Sequence, residues 1–99
     1  MILQYSPESI ADLTRLREFI AEKNPIAAQR IAGELLEGIK KLEDFPQIGI
    51  PVSRAPDPDK IRDLYIGNYV VRYLVAVDTI YILRLWHTKE VGRGSSYQV

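Results

Sequence analysis

The chain has 99 residues, 46% of them apolar and 26% charged, enough for one domain around one modest core. It contains no cysteine and a single histidine, which excludes a disulfide framework, thiolate chemistry and a zinc site of His and Cys ligands. Thirteen basic residues cancel thirteen acidic ones, which argues against grip on nucleic acid by bulk charge alone. No run of about 18 apolar residues is present to span a bilayer, and MILQYSPES shows no signal-peptide pattern. The expectation is a cytoplasmic protein with no membrane contact, metal or cofactor.

In chain order, Ile2, Leu3 and Tyr5 suggest a short strand. Ser6-Pro7-Glu8 is a helix start: Ser6 can cap, Pro7 suits the first turn and Glu8 suits the positive end of the dipole. Ile10, Leu13, Leu16 and Ile20 recur at helical spacing to about Glu22. Asn24-Pro25 repeats the start signal, and a second apolar stripe runs from Ala28 through Ile31, Leu35 and Ile39 to Leu42, ending before Pro46. The two helices form a hairpin joined by two or three residues. Pro46 to Lys60, with four prolines and one glycine, is an extended loop. Ile61 to Ile66, Tyr69 to Val77 and Ile80 to His87 are strands separated by tight turns at Gly67-Asn68 and Asp78-Thr79. The order β-α-α-β-β-β makes the class α+β, with the helical hairpin packed on one face of a mostly antiparallel sheet. Residues 89–99 are polar and are expected to form a mobile or partner-ordered tail on a single domain spanning 1–99.

Charge is unevenly spread. Residues 1–45 carry six basic and eight acidic groups, and residues 60–99 carry six basic against three acidic. Such a field steers a partner but does not hold one. With two-residue turns, alternation puts Leu64, Ile66, Tyr69, Val71, Tyr73, Val75, Val77, Ile80, Ile82 and Trp86 toward the helices, together with Arg62 and Arg84. Those two arginines are expected to pair with helix carboxylates or carbonyls. Asp63, Tyr65, Val70, Arg72, Leu74, Ala76, Tyr81, Leu83, Leu85 and His87 fall on the opposite, amphipathic face, which suits a protein partner. A longer second turn would instead set Arg84 beside Arg72.

YSPESIADL, LEDFPQIGIP, IRDLYIGNYVVRYLV and TIYILRLWH, in that order and spacing, resemble the RelE/ParE superfamily of toxins from bacterial type II toxin–antitoxin systems, over the chain to about Glu90. The resemblance implies a small cytoplasmic toxin neutralised by a cognate, ParD-like antitoxin. RelE-like members cut mRNA on the ribosome, whereas ParE-like members poison DNA gyrase. Where the ribonuclease members carry basic residues on the exposed sheet face, this chain aligns Asp63, Val70 and Thr88. The segment ILRLWH resembles the ParE ending, in which a strand closes on a histidine before a basic stretch. The ParE-like branch is therefore favoured, with gyrase as the target.

On that branch no residue is catalytic, and Arg72, His87, Lys89 and Arg93 are the candidate target contacts. On the ribonuclease branch, with ribosome and mRNA as partners, His87 would act as acid or base and Arg72 and Lys89 as phosphate contacts. His87 also has a plainer role open to it, as a strand-end residue bonded to backbone or carboxylate, and Arg72 has an ion pair with its cross-strand neighbour Asp63. The four strand tyrosines and Trp86 are expected to serve packing. An amphipathic antitoxin tail would meet Leu13, Leu16, Ile20 and Leu36 on the helical hairpin.

Overall fold

Two prolines mark where the helices begin. The computed structural model describes residues 1–90. A first strand, β1 (Ile2–Tyr5), leads into α1 (Pro7–Lys23) and α2 (Pro25–Lys40). Each proline sits in the first turn, where its missing N–H costs no helical bond. The Ser6 hydroxyl accepts the N–H of Ser9 at 3.0 Å, and the Asn24 side chain accepts that of Ala27 at 3.1 Å. Asn24 also donates its own N–H to the Ile20 carbonyl at 2.8 Å. It thus closes α1 and opens α2, a shorter connection than the two or three residues expected.

A single 3₁₀ turn, Lys41–Glu43, ends the helical block. The sheet is completed by β2 (Ile50–Pro51), β3 (Ile61–Ile66), β4 (Tyr69–Val75) and β5 (Thr79–His87). The strand order is β1-β5-β4-β3-β2, with β1 parallel to β5 and the other pairs antiparallel. The two-residue β2 lies inside the expected loop and adds a fifth strand to the four read from sequence.

Gly67 has φ +57° and opens the tight turn between β3 and β4, where the positive φ falls on the first turn position, the type II′ pattern. The register is the expected one, with Ile66 opposite Tyr69 and Asp63 opposite Arg72. The second turn centres one residue earlier than expected. The Ala76 N–H donates to the Thr79 carbonyl at 2.9 Å, so Val77 stands at the tip, fully exposed rather than under the helices. A bulge then changes the faces. Tyr73 pairs with Ile82, but Arg72 pairs with Arg84, leaving Leu83 as the extra residue. Beyond it Val71 faces Leu85, Val70 faces Trp86 and Tyr69 faces His87. Leu85 and His87 therefore turn to the helix side and Trp86 to the other, reversing the placement expected from strict alternation.

The core forms between the hairpin and this sheet face. Leu16, Leu35, Ile39 and Leu42 pack on Val71, Tyr73, Ile80, Ile82 and Leu85. Tyr73 ties the long loop to this core. Its hydroxyl donates to the Pro46 carbonyl at 2.8 Å and accepts the Gly49 N–H at 2.9 Å. Gly49 must lack a side chain, because a Cβ there would stand 2.6 Å from that hydroxyl. Arg62 donates to loop carbonyls of Gln47, Gly49 and Asp59, not to a helix.

Candidate functional site

Three side-chain clusters surround the far half of β5. The first lies on the sheet face opposite the helices. Arg72 grips Asp63 with both ends of its fork, Nε to Oδ1 at 2.8 Å and Nη2 to Oδ2 at 2.9 Å. The guanidinium carbon stands 5.1 Å from the centre of the Trp86 ring. The Arg72 and Asp63 side chains are 12% and 13% exposed, so this pair is largely shielded from water.

The second cluster seals the strand's outer edge. β1 stops opposite Ile82, and α1 takes over its role. The Ser6 hydroxyl donates to the Leu83 carbonyl at 2.9 Å. The Asp12 carboxylate, 6% exposed, accepts the N–H of Leu85 at 2.9 Å and the Arg84 Nε at 2.8 Å. Arg84 thus pairs with a helix carboxylate, as its sequence context suggested, although it stands beside Arg72 in the sheet.

The third cluster is the strand end. His87 packs edge-on to Tyr69, with ring centroids 5.0 Å apart at 90°. Its Nδ1 accepts the backbone N–H of Lys89 at 3.0 Å, while its own N–H donates to Glu90 Oε1 at 3.0 Å. Glu90 Oε2 accepts Arg15 Nη1 at 2.7 Å. Burial pushes the Tyr69 phenol above its ordinary value, and the Glu90 carboxylate adds to that shift. Lys89 and Glu90, assigned from sequence to a mobile tail, are tied to the strand end by these bonds; Lys89 keeps its side chain exposed. Arg93 and the rest of the expected tail lie outside the described residues.

The structure does not bring Arg72 and His87 together. They occupy opposite faces of the sheet, since Arg72 shares a face with Asp63 whereas His87 sits opposite Tyr69. Among the described residues, no group of three or more His, Cys, Asp or Glu is placed to hold a metal ion. On the hairpin, Leu16 belongs to the core, Leu13 and Ile20 are half-buried, and Leu36 is 49% exposed. Leu13 and Ile20 line a narrow groove between α1 and α2 with Arg17, Ala28 and Ile31. Among the described residues, no helix is long and apolar enough to cross a membrane.

Residues 3–92 match the family described as ParE toxin of type II toxin–antitoxin system, parDE. The chain belongs to the ParE toxin family. It is therefore a toxin of a type II toxin–antitoxin system, which implies an antitoxin as partner. Two proteins of Caulobacter vibrioides (strain ATCC 19089 / CIP 103742 / CB 15) are similar in sequence. Toxin RelE2 is 34% identical over 80 residues, covering 80% of this chain and 85% of that protein. Toxin RelE3 is 28% identical over 92 residues, covering 89% and 95%. The fold is also that of a chain in the structure titled "Chromosomal ParDE TA system from P. aeruginosa", with a TM-score of 0.74 over 88% of this chain and 95% of that one, at 22% identity. The ParE family fold thus carries two helices on a mixed five-stranded sheet, the α+β arrangement read from sequence.

Asp12, Arg15 and Glu90 were not singled out from sequence. Asp12 lies on the polar side of a helical stripe, where a carboxylate ordinarily meets water. His87 and Glu90 do carry a signal: a glutamate three residues after a capping position is the capping-box spacing.

Proposed function

We propose that this ParE-family chain poisons DNA gyrase in the cytoplasm, stalling the cleaved-DNA state, and is neutralised by a ParD-like antitoxin. The observation that carries the choice of target is the separation of Arg72 and His87. Cutting RNA requires a base, a cation and an acid within hydrogen-bond reach of one phosphate. Here the candidate cation is spent on Asp63 and stacked on Trp86, on the face away from the candidate acid or base. The relatives' RelE names favour the ribonuclease alternative, which the same experiment tests.

On the gyrase reading, the contacts belong to the end of β5 and the residues just beyond it: exposed Lys89, then Arg93. Arg72 acts on the same surface through the ion pair it makes. The antitoxin lays apolar side chains along the hairpin, meeting Leu36 directly and Leu13 and Ile20 through the groove, with Leu16 as its floor.

Expression of the chain alone, and with the product of the adjacent reading frame, is the test. Filamentous growth arrest with a DNA-damage response, relieved by the neighbour, supports the proposal, as does inhibition of gyrase supercoiling by purified toxin. Abrupt loss of translation with mRNA cut on ribosomes, and supercoiling untouched at high toxin excess, would overturn it.

A further inference from the structure

His87 is the chain's one imidazole, yet its ring accepts a hydrogen bond from the backbone. The Lys89 N–H reaches Nδ1 at 3.0 Å, and the Glu90 carboxylate returns to the His87 N–H at 3.0 Å. The two bonds frame one turn from both sides. The Glu90 return bond has the spacing of a capping box, while the His87 ring caps the second N–H of the turn rather than the third. The turn they close spans residues 88–90, directly after β5. Two further ties fix it: the Thr88 N–H donates to the Asn68 carbonyl at 2.8 Å, and Glu90 Oε2 accepts Arg15 Nη1 from α1. Tyr69 holds the ring edge-on from β4. An Nδ1 that accepts carries no proton, which leaves the ring hydrogen on Nε2.

We propose that His87 is a positioning residue, whose imidazole caps the turn after β5 through the Lys89 N–H and, with the Glu90 carboxylate on the His87 backbone N–H, fixes residues 88–90 against the strand end. For toxicity this rests on the reading above, in which Lys89 and Arg93 meet the target. His87 then neither transfers a proton nor touches the target. What the position requires is an acceptor two bonds beyond Cβ, which asparagine also supplies through Oδ1 and alanine does not.

The test compares His87→Asn, His87→Ala and Glu90→Ala in the full chain, after thermal melts show that each is folded at growth temperature. Potency is the inducer level that arrests growth. His87→Asn is expected to stay within about twofold of the parent, and both alanine variants to need about fivefold more, the factor that loss of one cap produces in the closed turn. Nitrogen NMR of the parent at mildly alkaline pH should show Nδ1 bare and Nε2 protonated. Hydrogen exchange at the Lys89 amide should be slow in the parent and His87→Asn and fast in His87→Ala. An asparagine variant as weak as the alanine variant would overturn the proposal, because the imidazole itself would then be needed. So would a proton on Nδ1, or full potency in His87→Ala. If growth arrests without gyrase inhibition, the target assignment fails while the ranking of variants still decides the cap. If the parent does not arrest growth, the Lys89 amide decides it alone.

Discussion

The carboxylate of Asp12 accepts the backbone N–H of Leu85 at 2.9 Å across 73 residues of sequence. A helix side chain here completes a strand edge that β1 leaves open, and Arg84 closes on the same carboxylate. Asp12→Ala removes a shielded acceptor from a backbone N–H and a guanidinium together. It is expected to cost about 2–4 kcal/mol and to lower Tm by more than about 8 °C. Asp12→Asn, which retains an acceptor for Leu85, should lose less. Calorimetry of both variants checks this.

Asp63 and Arg72 form a shielded bidentate pair. Asp63→Ala takes the bidentate carboxylate away from a guanidinium in a site with little water. The expected loss is about 2–4 kcal/mol, and replacing both residues with leucine should recover part of it. Urea unfolding of the single and double variants measures the difference. A double variant less stable than Asp63→Ala would contradict the expectation.

The phenols of Tyr5, Tyr69 and Tyr73 are all pushed above their ordinary value, in each case first by burial, with Glu43, Glu90 and Asp63 adding to the shift respectively. At Tyr73 the Gly49 hydrogen bond and Arg62 work the other way. The folded state holds these protons more tightly than the unfolded chain does. Their contribution to stability is therefore complete below the ordinary tyrosine value of about 10 and is lost as pH rises through the folded values. Urea midpoints should be flat on the neutral side and fall above about pH 10.

Tyr73→Phe should flatten part of that alkaline fall while lowering stability at neutral pH. The Gly49 N–H loses its partner in a buried position, a penalty of about 1–3 kcal/mol. Comparing the parent and the variant across pH separates the two effects.

Gly67→Ala meets no atom within 4 Å, so packing does not resist it. The backbone does, because φ is +57°. A loss of about 1–2 kcal/mol is expected, with Gly67→Asn milder. Equal stability of the alanine variant and the parent would show that the turn relaxes to another type.

Much of this architecture was legible because its signals are local. Pro7, Pro25 and Pro46 punctuate the helical block, and β3 begins and ends where its alternation does. The bulge at Leu83 was not legible, since an extra residue in an apolar run leaves the composition unchanged while inverting everything after it. That single residue moved Leu85 and His87 to the helix side and Trp86 away from it. The site suffered more than the fold for the same reason: its β5 members, Arg84 to His87, lie beyond the bulge. Asp12 and Arg15 act on residues at least 70 positions away in sequence, and no local pattern reports such a partner.

The pairing of the first strand with the fifth has a consequence for biosynthesis. β5 lies between β1 and β4, and it supplies Ile80, Ile82 and Leu85 to the core. A nascent chain therefore has no completed core until β5 emerges from the ribosome, however early its helices form. Truncation ahead of β5 would leave a fragment without the native sheet, so the toxin's fold waits on that one strand however much of the rest has been made.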